Sequence, residues 1–150
     1  MKHLTYLLIG IGITIIFLVM CFTDFNIYER LYFNQGYNDK LFSLDMYPVF
    51  GLILIVVAWG VAALYYYGIN SVKFDRWYHW LCMLAIVTVA VPVVCYIYNN
   101  AIFGENNLQY TQESIVFELQ NLLFAPIMFI IASFSMRWWS SNCRHTPIPQ

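Results

Sequence analysis

From Leu4 to Phe22 the chain carries no Asp, Glu, Lys or Arg, and the same holds from Pro48 to Tyr67, from Trp77 to Tyr98 and from Leu119 to Met136. This feature constrains the fold most. Each run is close to the roughly 20 apolar residues that cross a bilayer as a helix. A helix satisfies its own backbone hydrogen bonds, which lipid cannot do. The fourth run is expected to start a turn earlier, near Val116, with Glu118 at its beginning. Composition agrees: 61% of the 150 residues are hydrophobic and 10% are charged, against about 25% charged in a soluble domain. So few charges cannot cover a globular surface at this length.

The reading is therefore all-α: a polytopic integral membrane protein, residues 1–150 forming one domain. Its four transmembrane helices are expected over about 4–22, 48–67, 77–98 and 116–137, arranged as two hairpins. The first run is taken as a retained helix. Val19-Met20-Cys21-Phe22-Thr23 offers no small-x-small cleavage site, and Met20 does not suit a lipoprotein signal at Cys21.

Orientation follows from the basic residues, which collect in short cytoplasmic loops. Lys2, Lys73, Arg76, Arg137 and Arg144 fall on one side; Arg30 and Lys40 fall on the other. Both termini are thus expected in the cytoplasm, in a bacterial inner membrane. Segments 23–47 and 99–115 are expected outside. Aromatics at helix ends fit interfacial belts. In KFDRWYHWLC, Arg76, Trp77, His79 and Trp80 are expected as interfacial anchors, with Trp138 and Trp139 at the same depth. His79 has no histidine in another helix to complete a bis-histidine haem site. The cysteines form no CxxC; Cys21 and Cys95 fall at similar depth near the outer ends of their helices and would pair only if those helices touch.

Polar groups deep in the runs are few: Thr14, Thr88, Ser133 and Ser135. Ion-coupled transporters and proton motors need ionisable groups there. The best polar cluster is FELQNLLFAP, where Glu118, Asn121 and Ala125 share a helix face by i, i+3, i+7 spacing. Pro92 and Pro126 are expected to kink the third and fourth helices and splay their outer ends. Gly10, Gly12, Ala58, Gly60, Ala62 and Ala63 would let the first and second helices approach closely.

Splayed outer ends would leave Glu118, Asn121 and Pro126 facing a partner. Tyr28, Tyr32, Phe33 and Tyr37 in the first outer segment suit a partner's extramembrane part, since Tyr is enriched in interface cores. If the first helix continues outward, Phe25, Tyr28 and Tyr32 share a face. No catalytic residues, no cofactor and no metal ligands are expected, and thinly spread basic residues exclude nucleic acid. The expected partners are the lipid bilayer and other membrane protein subunits, in a hetero- or homo-oligomer. The function expected is that of a non-enzymatic assembly subunit in a secretion machine, transporter complex or multi-subunit pore.

Two alternatives belong to other classes. One is a self-oligomerising pore or membrane effector, which would want a polar stripe along one helix face. The other is a small enzyme acting on lipid-soluble substrates. In YERLYFNQ, Glu29, Arg30 and Asn34 resemble the Glu-Arg…Asn pattern of the four-helix glutathione and eicosanoid membrane enzymes. The resemblance covers only these few residues and would imply a site between the first and second helices. The third and fourth runs lack the core arginines of that family.

Overall fold

A computed structural model describes residues 2–23, 26–69, 74 and 76–140. Phe25, Lys73, Asp75, Cys143, Arg144 and His145 lie outside the described residues. Six α-helices follow in order: α1 (Lys2–Phe22), α2 (Ile27–Leu31), α3 (Gln35–Ser43), α4 (Met46–Ala63), α5 (Trp77–Glu105) and α6 (Thr111–Met136). A π-helical turn, Leu64–Ile69, extends α4, and a 3-10 turn, Arg137–Trp139, extends α6. Four of these stretches are long and apolar enough to cross a membrane: His3–Phe22, Met46–Ile69, Trp77–Glu105 and Thr111–Trp139. The chain has the build of an integral membrane protein.

Two boundaries move outward from the expected ones. α5 runs on from Tyr98 to Glu105, and α6 begins at Thr111 rather than near Val116. The polar stretch after Tyr98 reads as loop by hydropathy, yet a helix needs no lipid to continue. Val87, Val91, Cys95, Asn99 and Phe103 recur every fourth residue and are all buried. That stripe keeps one face of α5 on the bundle well past the apolar run.

The helix at the centre is α6, which packs against α1, α4 and α5. Its buried face alternates large and small side chains, with Phe117, Phe124, Met128 and Phe129 beside Ala125, Ala132, Ser133 and Ser135. Small residues admit close helix approach where lipid supplies no hydrophobic drive. The expected pairing of small residues between the first two helices is only partly realised. Gly10 lies against Ser135 of α6, Gly51 of α4 lies against Cys21 of α1, and Gly12 and Gly60 face open space.

Two interior hydroxyls, those of Ser133 and Thr14, accept bonds from other helices. Ser133 Oγ accepts from the Trp80 indole at 2.7 Å and lies 2.6 Å from the Tyr66 hydroxyl. Trp59 Nε1 donates to Thr14 Oγ1 at 3.1 Å, and Thr14 donates to its own helix at Gly10. The π turn lets consecutive tyrosines all find protein partners. Tyr65 donates to the Phe74 carbonyl and Tyr67 to that of Met136, each at 2.7 Å.

Trp80, expected as an interfacial anchor, is buried against α6, packed on Phe129. Arg76, Trp77 and Trp139 are exposed; His79 and Trp138 are half-buried. His79 rests between the rings of Phe74 and Tyr78 at 4.8 and 4.3 Å. The guanidinium of Arg137, itself buried, covers the Trp138 ring at 4.0 Å. Cys21 and Cys95 are both free and both buried.

Candidate functional site

The segment between α1 and α4 is not a continuation of α1. Two asparagines break it into short helices. Asn26 accepts from the Tyr28 N–H at 2.9 Å, and Asn34 accepts from the Tyr37 N–H at 3.4 Å. Such caps satisfy the orphan donors of a helix start. Each cap is followed by a tyrosine that points into the bundle, and both Tyr28 and Tyr37 are fully buried.

Tyr28 ends in a polar chain on α6. Its hydroxyl donates to Asn121 Oδ1 at 2.9 Å, and Asn121 Nδ2 donates to Glu118 Oε2 at 2.6 Å. Glu118 Oε1 is buried without a hydrogen-bond partner. Tyr37 makes a parallel tie to α5 and α6. Asn99 Nδ2 donates to its hydroxyl at 2.6 Å, and Phe117 of α6 packs on its ring. Burial pushes the Tyr28 and Tyr37 phenols well up from their ordinary value, with the nearby Glu118 acting in the same direction. Both hydroxyls therefore stay protonated.

An aromatic shell encloses these bonds. Phe117 lies 5.5 Å from Tyr28, 5.7 Å from Tyr37 and 5.3 Å from Phe50, and Phe103 lies 5.7 Å from both Tyr37 and Tyr110. These rings fill the end of the α5–α6 pair where the two helices join. α5 and α6 both stay helical through Pro92 and Pro126.

The expected partner contacts are thereby sorted. Tyr28, Tyr37, Glu118 and Asn121 come together inside one chain, so they offer a partner no surface. The tyrosines of α2 and α3 pack against this end of α5 and α6. Pro126 and Tyr32 are half-buried, and Phe33 is 70% exposed. Sequence reading missed Asn99 and Phe117. For Asn99 a signal existed: it falls in register between Cys95 and Phe103 on the buried stripe of α5.

A carboxyl group buried within a candidate membrane span is unusual enough to count as functional by default. Here it sits in a latch that ties the segment between α1 and α4 to the central helix. Among the described residues no group of three His, Cys, Asp or Glu side chains is placed to hold a metal ion. No family model matches the chain, and no curated protein or solved structure matches it either.

Proposed function

We propose that the chain is a non-enzymatic integral membrane subunit of a larger membrane-embedded assembly, anchoring or scaffolding partner subunits in a secretion machine, transporter complex or multi-subunit pore. The observation that carries this reading is the setting of α1. It is the least buried of the four spans, and an apolar cleft borders it on each side. One cleft, of about 230 Å³, runs between Ile9 and Ile13 of α1 and Ile130 and Phe134 of α6. The other, of about 300 Å³, runs between Ile11 and Ile15 of α1 and Ile55 and Trp59 of α4. Apolar walls without neighbours forfeit dispersion contacts. A partner helix laid along α1 restores them, and packing of this kind drives helix association in lipid. Interior polar bonds between helices, Trp80 to Ser133 and Trp59 to Thr14, support the same reading.

Photo-activated cross-linkers at Ile13, Ile130 and the exposed Phe33 are expected to trap one neighbouring chain or a small fixed set. Mass spectrometry of the adducts reads the result. Labelling only of lipid from Ile13 and Ile130, with a monodisperse functional monomer, sinks the assembly reading.

The proposed orientation places both termini in the cytoplasm of a bacterial inner membrane. Arg76 and Arg137 then mark the inner end, and Arg30 and Lys40 the outer. In a background without native cysteines, Lys40→Cys and Asn107→Cys should react with an impermeant thiol reagent in intact cells. Arg76→Cys should react only after lysis. The opposite pattern inverts the topology.

A further inference from the structure

Beside the latch, the outer segment holds acidic and amide side chains that the latch does not use. Glu29 of α2, Asn38 and Asp39 of α3, and the Phe42 ring line one cavity of about 360 Å³. Asn38 is 3% exposed. Its Nδ2 donates to the Tyr32 carbonyl at 3.1 Å, which orients the amide, but its Oδ1 is buried without a partner. The Tyr47 hydroxyl is in the same condition: the side chain is 2% exposed and its oxygen has no partner. A buried polar atom without a partner is costly and calls for an explanation.

We infer that Glu29, Asp39 and the Asn38 side-chain carbonyl form a binding site for a hard divalent cation of the calcium class. The donor set contains oxygen only: two carboxylates and an amide. Calcium accepts such sets at six to eight positions in irregular geometry and fills the remainder with water, whereas magnesium demands a near-ideal octahedron. Two carboxylates balance the charge of one such ion. Glu29 also lines an adjoining cavity with Asn26, Arg30 and Phe33. Ligands from two helices mean that the ion clamps α2 to α3 above the Tyr28 and Tyr37 anchors.

The test uses the full chain, purified in detergent and stripped with a chelator. Terbium is the probe, because tyrosine excited nearby sensitises its emission. Wild-type protein should give sensitised emission that calcium displaces and equimolar magnesium does not. E29Q and D39N should each weaken terbium binding by roughly tenfold or more, since affinity follows ligand charge. Both side chains lie outside the core, and unchanged elution volume and helical circular dichroism confirm folding. Independently, saturating calcium should raise the thermal midpoint of the wild type and leave that of E29Q/D39N unmoved. Emission that persists at full strength in the double variant means adventitious binding and overturns the site. Displacement by methylammonium but not by calcium also overturns it, in favour of an organic cation.

Discussion

Tyr28→Ala should destabilise the protein by about 3–5 kcal/mol, the range for deleting a large buried aromatic ring, whereas Tyr28→Phe should cost about 1–2 kcal/mol. The difference comes from what each change removes. Alanine empties a site enclosed by Phe17, Tyr47, Phe50, Phe117 and Phe124, all with ring centres within 6.4 Å of Tyr28. Phenylalanine keeps those contacts and deletes only the bond to Asn121 Oδ1, leaving that oxygen buried. Interhelical hydrogen bonds in membranes average about 0.6 kcal/mol, so the phenol alone cannot account for a large loss. Asn121→Ala should cost more than Tyr28→Phe, because it also removes the bond to Glu118 Oε2, and the double change Tyr28→Phe/Asn121→Ala should be less than additive, because both single changes break the Tyr28–Asn121 bond. Reversible unfolding in mixed micelles measures all four. Equal losses for the alanine and phenylalanine variants at position 28 would show that the ring does not fill this space.

Gly10→Ala is the second large effect. A methyl group built there meets Ser135 Cβ at 2.8 Å and clashes with Ser135 Oγ. Ser135 has little freedom to yield, since its hydroxyl donates to the Ile131 carbonyl at 2.7 Å and its Cβ is fixed by the α6 backbone. α1 must therefore move off α6, at about 1–3 kcal/mol for overpacking. Gly12→Ala is the control, because nothing lies within 4 Å of its added methyl; it should be neutral or slightly stabilising. Ser135→Gly in the Gly10→Ala background returns the space and should restore most of the loss. If the double variant is as unstable as Gly10→Ala alone, the close approach of α1 to α6 is not the cause. The same variants report on assembly, since a displaced α1 reshapes both clefts that flank it.

The four spans were legible without any structure because they depend on local quantities. A run of side chains is either long and apolar enough to sit in lipid or it is not, and the backbone must then close its own hydrogen bonds. Leu4 to Phe22 matches α1 closely for that reason. The Asn-capped breaks in the outer segment are local too, and Asn26 and Asn34 carried that signal although it went unread. What remained illegible depends on which side chain faces which neighbour. Trp80 and Trp77 have the same chemistry and stand three residues apart, yet one is core and one is exposed, because only Trp80 faces Ser133 of α6. Hydropathy rates Glu118 and Asn121 as polar and so assigns them to water or a partner. Tertiary structure buries them, because Tyr28, far off in sequence, supplies a hydroxyl at the right depth. A polar group in a membrane protein can be satisfied by headgroups, by another subunit or by its own chain. These choices involve the same atoms and differ only in geometry, which no local pattern encodes.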